Sequence, residues 1–167
     1  VLINGATGGV GRFAVQIAKA RGAEVTAVCS SKNFDFAKQL GASELIDYSK
    51  VDILTNGIKY DVLFDAYGKL NFKDASKVLT DNGYYVSTLL SPFAFFQVII
   101  SRIIGGKKLV PGNMRAKKED YIELESLLSS GKITPVIAKT FPLEKTKDAI
   151  AQLESGNIKG KIIVSNP

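Results

Sequence analysis

The opening residues, Val1-Leu2-Ile3-Asn4-Gly5-Ala6-Thr7-Gly8-Gly9-Val10-Gly11, constrain this chain more than any other stretch. A short apolar run leads into a glycine-rich turn. Apolar residues then recur at helical spacing at Phe13, Ala14, Ile17 and Ala18. Strand, glycine turn and helix, in that order, open a βαβ unit of the kind that binds a dinucleotide. The physical demand is close approach. A phosphate can sit on a helix N-terminus only where side chains do not hold it off. Gly8 and Gly9 let the backbone meet a pyrophosphate, flanked by Thr7 and Val10, and Gly11 lets the helix pack on the first strand. Ala6, Gly8 and Gly11 fill the three slots of the G-x-G-x-x-G frame, with alanine in the first. A tight βα turn without a ligand would need the same glycines, so the context matters.

That context is a regular alternation. Glu24 to Cys29 reads as a buried strand. A helix follows, capped by Ser30 or Ser31, with Phe34, Ala37 and Leu40 along it and Gly41 closing it. Further strands are expected at Glu44 to Ile46, Asp61 to Asp65, Tyr84 to Leu89 and Lys108 to Val110. Helices are expected at Asp52 to Asn56, Phe72 to Leu79, Phe93 to Ile104 and Lys117 to Leu128. Near-continuous apolar strands alternating with helices imply right-handed crossovers and a parallel sheet covered on both faces. The expected fold class is α/β, a Rossmann-type doubly wound sheet. Its ligand belongs at the carboxyl ends of the strands. After residue 132 the pattern continues as a strand at Pro135 to Lys139, a helix at Leu143 to Leu153 with Ala149, Ile150 and Leu153 inward, and a strand at Gly160 to Val164.

Composition narrows the partners. The net charge is +6, but the basic residues are scattered and cluster only at Lys107-Lys108 and from Arg115 to Lys118, so no nucleic acid is expected. Phe93 to Ile104 is too short, and too interrupted by Gln97 and Arg102, to cross a membrane; it is a buried helix or a partner surface. An exposed apolar helix there favours a homodimer. With one cysteine, Cys29, no internal disulfide can form, which suits a cytoplasmic location. With no histidine, neither a His/Cys zinc site nor a Ser-His-Asp triad can be built from this chain, and no metal is expected in it. The chain begins directly in a strand, as expected of a piece of a longer protein.

The cofactor is read from the end of the second strand. NAD sites carry an acid there for the ribose 2′-hydroxyl. Here the residues are Cys29-Ser30-Ser31-Lys32-Asn33, with no acid. The hydroxyls of Ser30 and Ser31 and the charge of Lys32 suit a 2′-phosphate, so NADPH is expected over NADH. Tyr48 lies against the adenosine phosphate or is a surface tyrosine. Asp65 orients a loop near the cofactor or caps the turn at Gly68. Leu89 ends a strand where backbone groups meet a nicotinamide amide. No residue stands out as a catalytic acid or base, and hydride transfer asks mainly for orientation and electrostatics.

Gly5-Ala-Thr-Gly-Gly-Val-Gly-Arg-Phe-Ala-Val-Gln-Ile-Ala-Lys19 resembles a stretch of the medium-chain dehydrogenase/reductase superfamily. Leu40-Gly-Ala42, Ile46-Asp-Tyr48, Tyr60 to Asp65, Gly131-Lys-Ile-Thr-Pro-Val136 and Gly160-Lys-Ile-Ile-Val164 are similar to later motifs of its quinone oxidoreductase-like branch, in the same order. The resemblance implies NADPH-dependent reduction of quinones, enones or related conjugated carbonyls. It places Gly8, Gly9 and Val10 on the pyrophosphate, Ser30, Ser31, Lys32 and Tyr48 at the adenosine phosphate, and Leu89 beside the nicotinamide. It also implies a separate substrate domain that this chain lacks, onto which residues 133–167 would fold, and hence little turnover by the chain alone. A zinc-dependent alcohol dehydrogenase parent and a non-catalytic dinucleotide-sensing module are the alternatives. Short-chain dehydrogenases share a Gly-Ala-Thr-Gly opening but need a Tyr-x-x-x-Lys pair, and no tyrosine here has a lysine four residues on.

Overall fold

The computed structural model describes residues 1–89, 94–112, 117–156 and 158–166. The strands β1 (Leu2–Asn4), β2 (Thr26–Cys29), β3 (Glu44–Asp47), β4 (Tyr60–Asp65), β5 (Leu79–Ser87) and β6 (Lys108–Pro111) form one sheet in the order β3-β2-β1-β4-β5-β6. Every neighbouring pair is parallel. The chain runs outward from β1 in one direction, then returns to β4 and runs outward in the other. The switch point lies between β1 and β4, and a crevice opens there at their carboxyl ends.

Alternation along β1 explains why both faces must be covered. Leu2 belongs to a core cluster with Leu63, Val78, Leu79, Tyr85 and Leu109. The next residue, Ile3, belongs to a separate cluster with Val15, Val25, Ala27, Phe36 and Leu40. Successive side chains of a strand point to opposite faces, so two cores flank one sheet. The second cluster is roofed by α1 (Gly11–Ala20) and α2 (Phe34–Gln39), and the first by α3 (Phe72–Ala75), which continues as a single 3-10 turn, Ser76–Val78.

Several local expectations shift. Residues 52–56 form turns rather than a helix, because the Asp52 carboxylate accepts from Leu54 N at 2.9 Å. β5 starts at Leu79, ahead of Asp81-Asn82-Gly83, and absorbs them through a register shift opposite Tyr60 and Val62. Neither serine caps α2: a 3-10 turn, Ser31–Asn33, leads into it, and no side chain accepts at its start. In α1 the wholly buried positions are Gly11, Arg12, Val15 and Gln16, while Phe13, Ala14, Ile17 and Ala18 are half-buried. The reason is a second neighbour. Gln16 Oε1 accepts from Thr134 N at 2.7 Å, and Val136 packs on the cluster beneath α1.

That neighbour leads into a second, two-stranded parallel sheet, β7 (Ile137–Pro142) and β8 (Lys161–Ser165), connected through α6 (Thr146–Glu154). Ala149 is buried there, but Ile150 and Leu153, expected inward, are exposed, as are Ile137 and Leu143. On the other side of the molecule α4 (Ala94–Ile104) turns Phe96, Ile99, Ile100 and Ile103 outward, one apolar stripe at helical spacing. Inward, Val98 packs against the first core cluster and the buried Ser101 accepts from Leu109 N. α5 (Lys118–Ser129) ties to α1 through an exposed Arg21–Glu123 ion pair.

Candidate functional site

The glycine loop is built by two close approaches. Gly5 has φ +77°, the left-handed region that glycine adopts without strain. At Gly11 a Cβ would lie 2.1 Å from Gly5 O and 2.9 Å from Ala6 Cα, so only glycine lets α1 start this close to β1. Ala6 is wholly buried and its N–H is taken by Val28 O. Gly8 donates to Gly5 O at 3.0 Å. Gly8, Gly9 and Val10 are exposed, and among the described residues the N–H groups of Gly9, Val10 and Gly11 have no hydrogen-bond partner. These are orphan donors at the positive end of the α1 dipole.

The first turn of α1 contains no acid that would offset that end. It contains Arg12 instead, buried, with Nε donating to Gly8 O at 3.0 Å and Nη1 without a partner. Burial lowers the Arg12 pKa from its ordinary value. A second cation approaches from outside: a Cβ on Gly9 would lie 3.8 Å from Lys161 Nζ, at the start of β8. Positive groups placed around unpaired N–H donors are what a bound anion such as a pyrophosphate requires.

Beside the loop a cleft of about 380 Å³ is lined by Asn4, Thr7, Cys29, Ser30, Asn33 and Tyr48, among others. Asn33 spans it: its Nδ2 donates to Thr7 Oγ1 at 3.4 Å and to Ser30 Oγ at 3.3 Å. The glycine loop and the end of β2 are thereby joined, a link that no sequence motif announced. Lys32 and Tyr48 are exposed, and Ser31 offers its N–H to Asp47. Cys29 lies at the cleft with its thiol pushed up to about 11 by burial, so it stays protonated and inert.

Asp47 holds the far wall. Its Oδ1 accepts from Ser49 Oγ at 2.7 Å and Ser49 N at 2.9 Å, and its Oδ2 from Ser31 N at 3.3 Å. The Ser49 bonds, more than the Ser31 ones, hold this carboxyl down at about 2. The carboxylate is occupied inward, fixing the turn that carries Ser31 and the turn that carries Tyr48. A depressed folded-state pKa stabilises the protein at pH values above that of a free carboxylate, about 4, and the stabilisation is lost as pH falls to about 2. In urea titrations from pH 6 to pH 2, Asp47→Asn should therefore show a shallower loss of stability than the unaltered chain between pH 4 and 2. Parallel curves would show that the carboxylate carries no such role.

Asp65 ends β4 on the other side of the crevice, wholly buried. Its carboxylate accepts from Asn4 Nδ2, from the N–H groups of Tyr67, Gly68 and Leu70, and from the Tyr85 hydroxyl, at 2.9–3.2 Å. Tyr85 also lies 2.6 Å from Leu70 O, and burial pushes its hydroxyl up to about 12, so it remains a donor. Asp65 thus caps the turn after β4 and, through Asn4, ties it to β1. Leu89 is exposed above this turn, packed so closely that a Cβ on Gly68 would meet Leu89 Cδ1 at 2.7 Å. Residues 90–93, among them Phe93 at the start of the expected helix, lie outside the described residues.

Residues 40–164 match the profile of the zinc-binding dehydrogenases. The chain belongs to that family. It is 36% identical, over 98% of its length, to the chloroplast envelope quinone oxidoreductase homolog of Arabidopsis thaliana, of which it covers 51%. It is 33% identical, over 99% of its length, to a mitochondrial NAD(P)H oxidoreductase of Bos taurus, of which it covers 47%. The solved quinone oxidoreductase from Coxiella burnetii superposes with a TM-score of 0.78 at 27% identity, over 99% of this chain and 52% of that one. The chain therefore spans about half the length of these relatives.

Within the family this zinc-binding dehydrogenase portion is quinone oxidoreductase-like and of the medium-chain dehydrogenase/reductase type, as the order of its motifs implied. Its fold and relatives are those of nucleotide-binding oxidoreductases. The cytoplasmic expectation is overturned, because the relatives are proteins of the chloroplast and the mitochondrion. A lone cysteine argues against a disulfide-forming medium and cannot choose among reducing ones. Among the described residues no three His, Cys, Asp or Glu side chains gather as a metal site would need.

Proposed function

We propose that this chain is the NADP(H)-binding half of an organellar oxidoreductase that reduces quinones, enones or related conjugated carbonyls. The observation that carries the reading is the bare start of α1, where N–H groups with no partner among the described residues stand between Arg12 and Lys161. The cofactor, when bound, supplies the hydride. Gly9 and Val10 bind its pyrophosphate through their free N–H groups, and Gly8, whose N–H is held by Gly5 O, leaves room for its approach. Ser30, Ser31 and Lys32 receive the 2′-phosphate, with Tyr48 beside it. Thr7 and Asn33 hold these two subsites in register, and Asp65 fixes the turn on which the nicotinamide half rests, near Leu89.

The exposed apolar residues Ile137, Leu143, Ile150 and Leu153 support a seat for a substrate domain on residues 133–167. The outward stripe of α4 supports a homodimer. The chain by itself then binds cofactor without appreciable turnover. Fluorescence titration tests the reading: NADPH should bind at least about tenfold tighter than NADH. Lys32→Glu should remove that preference by setting a negative charge against the 2′-phosphate. NADH binding tenfold tighter than NADPH would overturn the assignment, and quinone reduction by the isolated chain at an enzyme's rate would overturn the division of labour.

A further inference from the structure

We infer that Arg12 is a positioning residue of the proposed cofactor site: its side chain holds the Gly8 carbonyl inward, and so turns the N–H of Gly9 outward to meet a phosphate. The inference rests on the proposed dinucleotide reading and gives a role to a side chain that the glycine-loop motif does not contain.

The C=O of Gly8 and the N–H of Gly9 belong to one planar trans peptide and point in opposite directions. Whatever holds one of them aims the other. Gly8 O accepts twice from the same residue, from Arg12 N at 3.2 Å and from Arg12 Nε at 3.0 Å. The first bond is ordinary helix geometry, and any residue but proline at this position supplies it. The second belongs to this side chain. It matters because the peptide has glycine on both sides, so no Cβ opposes its rotation. Packing does not hold it either: outside its chain neighbours, a Cβ on Gly9 would meet nothing nearer than Lys161 Nζ, at 3.8 Å. A rotated peptide would withdraw the Gly9 donor and turn an acceptor, the Gly8 carbonyl, towards the place where a pyrophosphate belongs.

Arg12 is not placed there for stability. It is more than nine-tenths buried, forms no ion pair among the described residues and leaves Nη1 without a partner. The side-chain acceptor one helical turn on, Gln16 Oε1, is committed to Thr134 N at 2.7 Å, while Gln16 Nε2 donates to the Arg12 carbonyl at 3.2 Å. A buried guanidinium with an unmet donor costs stability, and an apolar side chain of similar length would remove that cost. The side-chain hydrogen bond that Arg12 does make goes to the glycine loop. A residue that works against stability and spends its bond on an anion loop is placed for what the loop binds.

The test compares Arg12→Met and Arg12→Gln with the unaltered chain. A glutamine Nε2 stands as many bonds from Cβ as an arginine Nε does, so Arg12→Gln keeps a donor for Gly8 O without the charge, and Arg12→Met has neither. Titrated with NADPH, Arg12→Met should bind about five- to tenfold more weakly, as the loss of one hydrogen bond does, and Arg12→Gln should recover most of that loss. Binding of adenosine 2′-monophosphate, which has no pyrophosphate, should be the same in every variant. The urea midpoint of Arg12→Met should equal or exceed that of the unaltered chain. Equal NADPH binding by Arg12→Met overturns the assignment. So does an Arg12→Gln as weak as Arg12→Met, which would show that the charge acts and not the bond. A lower urea midpoint for Arg12→Met, or equal weakening of both ligands, would make Arg12 a residue of the fold alone and overturns it too. If the unaltered chain binds neither NADPH nor NADH, the dinucleotide reading itself fails and takes this inference with it, a result seen before any variant is compared.

Discussion

Asp65→Ala should destabilise the fold by about 3–5 kcal/mol in urea unfolding, the range for removing one side of a buried, charge-assisted network. The residue has no solvent exposure, so water cannot replace the carboxylate without opening the sheet. The donors it leaves behind, Asn4 Nδ2, the N–H groups of Tyr67, Gly68 and Leu70, and the Tyr85 hydroxyl, come from β1, from the turn after β4 and from β5. The Asn4 amide and the three backbone N–H groups, partly screened from water, would lose their acceptor, while the Tyr85 hydroxyl would keep Leu70 O alone. Asp65→Asn tests the charge separately. It keeps the shape and one accepting oxygen but turns an amide N–H₂ towards other donors, so an intermediate loss is expected. A loss under about 1 kcal/mol for Asp65→Ala would show that the turn finds other acceptors and that the network is not what fixes it.

That network marks where sequence reasoning stops. The alternation of apolar runs and glycine turns was enough for the sheet, because a parallel strand buried on both faces has few alternatives. Asp65 was legible as a polar residue at a strand end, with orienting and capping roles both open. Choosing between them needed Asn4 and Tyr85, which lie on other strands and reach it only through the fold. Asn33 and Lys161 were invisible for the same reason. One looks like a helix-start residue and the other like a surface lysine, and each gains its place through contacts with the glycine loop from far along the chain. The hydrophobic stripes misled in the opposite sense. Ile150 and Leu153 follow a core pattern, yet nothing among the described residues covers them, since periodicity reports that a face is apolar and not what lies against it.

Gly11→Ala and Gly9→Ala should separate the two demands made on the glycine loop. In an exposed helix interior, alanine for glycine stabilises by about 1 kcal/mol. At Gly11 the sign reverses. The added methyl would sit 2.1 Å from Gly5 O, 2.8 Å from Gly5 C and 2.9 Å from Ala6 Cα, all backbone atoms at the end of β1 that cannot rotate away. Relief requires lifting the start of α1 off the sheet. That costs about 3 kcal/mol, the upper part of the range for overpacking, and displaces the free N–H groups at the start of the helix. Urea unfolding should show the loss, and NADPH titration should show binding abolished. Gly22→Ala is the control for backbone strain alone: φ is +81° but nothing lies within 4 Å of a Cβ, so about 1–2 kcal/mol should be lost with NADPH affinity kept. Gly9→Ala is the opposite case. A Cβ there meets no backbone and only the mobile end of Lys161 at 3.8 Å, so stability should be unchanged. Yet that methyl stands where a pyrophosphate must approach the N–H groups, and NADPH affinity should fall by at least about tenfold. Undiminished NADPH binding by Gly9→Ala would mean that the bare loop serves packing alone, and the proposed cofactor site would have to be abandoned.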